Sequence, residues 1–220
     1  MARPSEHDWL QTITQELYSA VLCDVLDKMG HRHQALGSGF YPATSAKRLT
    51  GRAFPVLAAE SYTMPERPYN RLIDALDSIN VHEVFITNPL SDRAAFWGEL
   101  LSNACQARGG AGAVVDGLVR DVERIEDIGF PVFAKGSRPV DSLGRSEVLD
   151  YGVSVVCGGV RVNPGDLIVA DRDGVVVVPC AVEEEVVEEA LHKVRGENQV
   201  REGIRRGESL RRLFDQYGVL

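Results

Sequence analysis

The residues best placed to do chemistry lie in two short stretches. "AGAVVDGLVRD", residues 111–121, runs from small apolar residues into Asp116, Arg120 and Asp121 within six positions. "FWGELL", residues 96–101, sets Glu99 behind a glycine at the start of a helical pattern. The end of a buried strand is where α/β sheets present active groups, so Asp116 is a candidate. It is equally placed to close a strand-to-turn junction through backbone N–H groups. Arginine beside an acid offers a rigid fork of donors that suits a carboxylate, or it forms a plain surface pair. Gly98 ahead of a helix suggests free N–H groups that cradle a carboxylate oxygen. Glu99 in that first turn either joins the chemistry or answers the helix dipole. Asp121 precedes "VERIED" and is a helix cap by position, worth about 1 kcal/mol. A carboxylate has lone pairs enough to cap and to bind an ion.

Other motifs exclude chemistry or offer less. No G-x-G-x-x-G, G-x-x-x-x-G-K-[ST] or G-x-S-x-G occurs, so the dinucleotide, P-loop and nucleophile-elbow readings drop out. "HRH" at 31–33 has two histidines at i, i+2 without a third partner at metal spacing, and reads as structural or surface. Lys135 ends the strand-like "FPVFAK"; desolvated, it would suit a Schiff base with a ketone, and solvated it is an ordinary strand end. Cys23, Cys105, Cys157 and Cys180 are widely spaced with no C-x-x-C, so free thiols and a cytoplasmic location are expected.

The elements that must position these residues can be read from periodicity. "TITQELYSAVLCDVLDKMG" predicts one helix, with Thr12 and Gln15 as a capping box, a stripe through Leu17, Val21, Val25 and Met29, and Gly30 as its end. "RAFPVLAA" predicts a strand, weakened or put at an edge by Pro55. "RPYNRLIDALDSI" predicts a helix, and "EVFIT" a strand with Pro89 marking the turn after it. A helix is expected from about Glu99 to Arg108, a strand at "AGAVVDG", a short helix at "RDVERIEDIG" and a strand at "FPVFAKG". "DRDG" between two apolar runs is a tight hairpin turn. After Pro179, Val182, Val186, Ala190 and Val194 put a narrow apolar face on a helix whose first turn holds Glu183, Glu184 and Glu185. The reading is a single α/β domain over 1–196 and a charged tail over 197–220 that lies across a neighbouring subunit.

Bulk composition narrows the partners. The chain has 220 residues, 44% hydrophobic and 25% charged, as an ordinary folded domain does. A formal charge of −8 argues against a general nucleic-acid binder, although 20 of the 24 basic residues are arginines. No run of about 18 apolar residues occurs, so no membrane partner is expected. "MARPSEHDWLQ" lacks the pattern of a secretory signal.

Taken in order, "WGELL", "ARGGAGAVVDGLVRD", "GFPVFAKG" and "VCGGVRVNPGDLIVADRDGVVVVP" resemble one family over roughly residues 12–205. It is the family of 4-hydroxy-4-methyl-2-oxoglutarate / 4-carboxy-4-hydroxy-2-oxoadipate aldolases, which also contains the regulator of ribonuclease activity A. The resemblance implies an α-β-β-α sandwich related to the phosphohistidine swivelling domain. It also implies trimers, often stacked as hexamers, with active sites between subunits. The implied reaction is class II: with Mg²⁺ or Mn²⁺, a 4-hydroxy-2-oxo acid is cleaved to pyruvate and a second 2-oxo acid, with oxaloacetate decarboxylation as a companion. Asp121 then corresponds to the metal ligand, and Arg120 to the residue holding the substrate carboxylate and C2 oxygen. Glu99 corresponds to the acid that bonds water on the metal, joined by Glu197 from a neighbour's tail. The backbone from Gly98 through Glu99, Leu100 and Leu101 cradles the pyruvate carboxylate, and Asp116 is a supporting residue. The alternative on the same fold is a non-catalytic regulator that docks on a ribonuclease. One departure bears on the substrate: "TNPLSDRAAF" puts Pro89, Ser91 and Asp92 where the family has a glycine-rich loop near the substrate's distal end. The loop carrying His31, Arg32 and His33 is a further candidate contact for a second carboxylate.

Overall fold

A computed structural model describes residues 5–46, 48–88 and 90–219. The chain opens with two helices, α1 (Glu6–Glu16) and α2 (Ser19–Lys28), where the sequence predicts one. Leu17 and Tyr18 are extended and break the helix, although Leu17, Val21 and Val25 still bury together. Ser5 is the N-cap, its Oγ accepting from Asp8 N at 3.2 Å, so the Thr12 capping box does not form. Then come β1 (Tyr41–Pro42), β2 (Leu49–Glu60), α3 (Asn70–Asp77), β3 (Glu83–Thr87) and β4 (Ala95–Trp97). They are followed by α4 (Glu99–Ala107), β5 (Gly112–Val119), α5 (Val122–Ile128) and β6 (Val132–Ser137). The second half holds β7 (Ser146–Tyr151), β8 (Val155–Cys157), β9 (Val160–Val162), β10 (Leu167–Asp171) and β11 (Gly174–Val178). It closes with α6 (Glu183–Arg205) and α7 (Leu210–Tyr217).

The large mixed sheet has the order β1-β6-β5-β3-β2-β10-β11, with β4 joined to β5 and β7 to β2. Strand alternation sorts side chains onto opposite faces, and three apolar layers result. Phe54, Val56, Phe85, Ala113, Val115 and Val132 face α3, α4 and α5. Their neighbours Ala53, Val84, Ile86, Val114 and Phe133 face the interior. There they meet one side of β10 and β11 and the separate β8–β9 hairpin. The other side of β10 and β11, through Leu167, Val169, Val176 and Val178, packs on α1, α2 and α6. Strands buried on both faces explain the near-continuous runs "GAVV" and "GVVVV". The chain is thus an α/β sandwich, helices outside two strand layers, with C-terminal helices.

Pro55 lies in the middle of the sheet rather than at an edge, since β2 pairs with β3 on one side and with β10 and β7 on the other. Its carbonyl accepts from Gly152 N, so its missing N–H falls between the start of β10 and the end of β7. The "DRDG" hairpin forms as expected, with Asp171 opposite Gly174. Helix α6 runs unbroken through residue 197, where the sequence suggests a boundary. Pro89, read as a turn marker, lies outside the described residues. No helix among the described residues is long and apolar enough to cross a membrane.

Candidate functional site

Three segments build the site: the β4–α4 junction, the β5–α5 junction and the loop before β7. Trp97, at the end of β4, is buried, and its Nε1–H donates to Ser102 Oγ at 2.7 Å. Its carbonyl accepts Arg120 N at 2.9 Å, which brings the two junctions side by side. Gly98 is the N-cap of α4, and a Cβ there would lie 2.8 Å from Asp121 Oδ2 and 3.2 Å from Arg120 Cγ. Only a glycine allows both side chains this close.

Asp121 starts α5 but does not cap it. Its backbone is left-handed, φ 59° and ψ 34°, and no side-chain cap bond forms. The carboxylate turns instead toward the other helix start, its Oδ2 accepting from Glu99 N at 3.4 Å and lying 3.6 Å from Arg120 Nε. The capping expectation fails, and a left-handed aspartate is a conformation that active sites hold at some local expense. Within α4, Ser102 N donates to Gly98 O, while the N–H groups of Leu100 and Leu101 precede the first full helical bond. Glu99 is half-buried, and its Oε1 accepts from Asn103 Nδ2.

Asp141 and Tyr69 complete the site, and neither stood out in the sequence. Arg120 Nη1 lies 3.3 Å from Asp141 Oδ1, and the Tyr69 hydroxyl donates to Asp141 Oδ2. Asp141 is held by a parallel bridge to Ala95, next to the bond from Ala95 N to Val140 O at 2.8 Å. Tyr69, N-cap of α3, is also left-handed at φ 58°. Burial, then the hydrogen bond to Asp141 and that carboxylate's charge, push its phenol up to about 12. These groups line a cavity of about 290 Å³, with Gly98, Leu100, Leu101, Arg120, Asp121 and Asp141 among its walls. Signals for Asp141 and Tyr69 were absent because both sit on loops, remote in sequence from residues 98–121.

Other expected residues fall elsewhere. Asp116 is 1% exposed and turns to the interior, 2.5 Å from Lys135 Nζ, with its Oδ2 accepting from Gly158 N at 2.6 Å. It supports the fold by tying β5 to β6 and to the β8–β9 turn, and Lys135 is the partner of a carboxylate outside the cavity. Glu197 accepts from the Tyr18 hydroxyl, lies 3.9 Å from Lys193 Nζ and 4.0 Å from Arg201 Nη2, and does not line the cavity of its own chain. The loop with His31, Arg32 and His33 lines no part of this cavity either. Arg93 ties the "SDR" loop to the end of β2, with Nη1 3.5 Å from Glu60 Oε2 and the guanidinium 4.1 Å over the Tyr62 ring.

Among the described residues no group of three or more His, Cys, Asp or Glu side chains is arranged to hold a metal ion. What the cavity offers is oxygen: Asp121, 44% exposed and uncommitted to its helix, beside Asp141 and near Glu99. A hard ion such as Mg²⁺ keeps several waters and accepts one or two carboxylates, so this donor set fits it; soft-metal chemistry has no sulfur or imidazole here.

Comparison with known proteins identifies the family and the fold. A provisionally named 4-hydroxy-4-methyl-2-oxoglutarate aldolase of Halalkalibacterium halodurans is 36% identical over 108 residues, 49% of this chain and 50% of that protein. The match to the first curated relatives spans between 35% and 58% of their lengths. The crystal structure of Streptomyces coelicolor RraAS2, described as an unusual member of the RNase ES inhibitor RraA family, superposes with a TM-score of 0.79 at 30% identity, over 91% of this chain and 98% of that one. An uncharacterized Pseudomonas syringae protein superposes at 0.84 and 26% identity, over 99% and 97%. The family model described as RraA-like, aldolase/RraA, matches residues 19–177, and the chain belongs to that family.

Proposed function

We propose that this protein is a divalent-metal-dependent lyase that cleaves 4-hydroxy-2-oxo acids, such as 4-hydroxy-4-methyl-2-oxoglutarate or 4-carboxy-4-hydroxy-2-oxoadipate, to pyruvate and a second 2-oxo acid. The observation that carries the reading is the contact at Gly98, where an uncapping Asp121 and Arg120 are pressed against the open N-terminus of α4. Asp121 would hold Mg²⁺ or Mn²⁺, and the ion supplies Lewis acidity to the keto-acid end of the substrate. Arg120 is the protein's own cation there; its fork suits the carboxylate and the C2 oxygen, where negative charge gathers as the C3–C4 bond breaks. The free N–H groups of Leu100 and Leu101, with Gly98 and Glu99 beside them, receive the carboxylate of the pyruvate portion. Asp141 fixes one side of Arg120, which keeps the guanidinium aimed into the cavity. Glu99 orients the water that accepts the C4 hydroxyl proton. Glu197 of a neighbouring copy joins it only if its bonds to Tyr18 and the nearby cations open. On this reading the complete site lies between subunits of a trimer or hexamer. Oxaloacetate, whose decarboxylation leaves charge on the same atoms, is the expected companion substrate.

The test is pyruvate release from a set of 4-hydroxy-2-oxo acids and from oxaloacetate, with and without Mg²⁺ or Mn²⁺. Asp121→Ala should abolish the metal-stimulated rate in a folded protein, and Arg120→Ala should do so with metal still bound. Normal turnover in either variant would remove the assigned roles. The likeness to the Streptomyces RraA structure supports a second reading, a ribonuclease-binding regulator. That reading predicts inhibition of a ribonuclease by Asp121→Ala as strong as by the wild type.

A further inference from the structure

A second and larger cavity, about 390 Å³, adjoins the first. The two share Tyr69, Leu72, Phe96 and Ser142 as lining, so they are neighbours across that wall. Their charge differs in sign. The first sets Asp121 and Asp141 against Arg120, whereas the second sets Arg67 and Arg71 against Glu147. Arg67 is exposed and has no carboxylate partner among the described residues. Arg71 Nη1 donates to Leu149 O and reaches Asp150 Oδ1 only at 4.0 Å. Glu147 is occupied by Ser61, whose Oγ donates to it at 2.9 Å. The two arginines flank Tyr69 in "RPYNR", and the left-handed turn at Tyr69 brings its ring to Asp141 while both arginines line the larger cavity.

A concave polar site with surplus positive charge concentrates anions. Size points the same way. The first cavity alone lies near the lower bound of roughly 300 Å³ for small-molecule sites, and the second, about 390 Å³, lies within that range. We infer that the substrates of this chain carry an extended tail ending in an anion, which Arg67 and Arg71 bind in the second cavity while the keto-acid end stays at Arg120 and Asp121. This rests on the lyase reading for the keto-acid end alone. Specificity then follows from length: a short acid reaches Arg120 but leaves both outer guanidinium groups unsatisfied.

Calorimetric titration in Mg²⁺ with 2-oxoglutarate, 2-oxoadipate, 2-oxopimelate and 2-oxosuberate tests this, beside 2-oxo monocarboxylic acids of matching length. Affinity should rise about tenfold along the dicarboxylate series once the tail meets a guanidinium, because charge-assisted hydrogen bonds are the strong ones. The monocarboxylic series should stay flat. Arg67→Ala and Arg71→Ala should each flatten the rise, and Arg67→Lys should restore part of it. A flat series in the wild type, as when another subunit fills the cavity, overturns the inference. So does a rise that survives both alanine substitutions. Absence of pyruvate release from every 4-hydroxy-2-oxo acid would instead remove the lyase reading, and the binding series would still be decided by its own outcome.

Discussion

Gly98 is extended, φ −161° and ψ −173°, so alanine fits its backbone without strain. The added Cβ would nevertheless meet Asp121 Oδ2 at 2.8 Å and Arg120 Cγ at 3.2 Å. Both belong to side chains with substantial exposure, 44% and 35%, which can yield into solvent. The fold should therefore lose on the order of 1 kcal/mol, the low end for overpacking. Chemistry should suffer more, because displacing a positioning group by roughly 1 Å costs about 10²-fold in rate. That loss corresponds to about 2.7 kcal/mol of transition-state stabilisation. Pyruvate release in Mg²⁺ gives kcat/KM, and urea unfolding of the same preparation gives stability. Gly98→Ala should show the hundredfold loss with an unfolding free energy within about 1 kcal/mol of the wild type. Wild-type turnover would refute the geometry, and so would a stability loss as large as the activity loss.

Asp116→Asn should destabilise by about 2 kcal/mol in denaturant, below the full penalty for a buried pair because Lys135 is 40% exposed; an unchanged midpoint would contradict the pairing. The neutral Tyr69 phenol is the form the fold favours, so its contribution is whole below about pH 10 and fades as pH rises toward about 12. Ultraviolet titration should accordingly show late-ionising tyrosines, Tyr18 among them. Tyr69→Phe should remove one of them, and an unaltered titration would disprove the link to Asp141. Burial raises the Cys105 thiol to about 12 and, with Asp116 adding to the effect against Lys135, raises Cys157 as well. Iodoacetamide near pH 8 should spare both until denaturant is added and should modify exposed Cys180; mass mapping that finds Cys157 labelled in native buffer would count against this packing.

Local signals carried the sequence reading where one element decides the outcome. Helix α4 begins at Glu99 and ends at Ala107, close to the expected span, because Gly98 and the apolar spacing act within one turn. The pairing of Arg120 with Asp121 was visible as adjacent residues. The break at Leu17 and Tyr18 was hidden because Leu17 keeps the spacing of a continuous apolar stripe even though it leaves the helix. Pro55 misled because its tolerance depends on where two other strands stop and start. Asp121 looked like a cap because position predicts capping, while the competing attraction comes from an N–H on another helix. Tyr69 and Asp141 meet only after residues 72 apart are folded together, and no local pattern announces such a bond.

Strand β5 also bears on engineering by recombination. It delivers Asp116 to the interior, where that residue grips Lys135 and the Gly158 turn, and its end leads straight to Arg120 and Asp121 at the cavity. Anchor and cavity-lining pair are thus carried by one inheritable segment. A chimera whose crossover fell between residues 116 and 121 would join an interior grip from one parent to a cavity-lining pair from another. Only a transferred segment that also includes Lys135 and Gly158 would carry both intact.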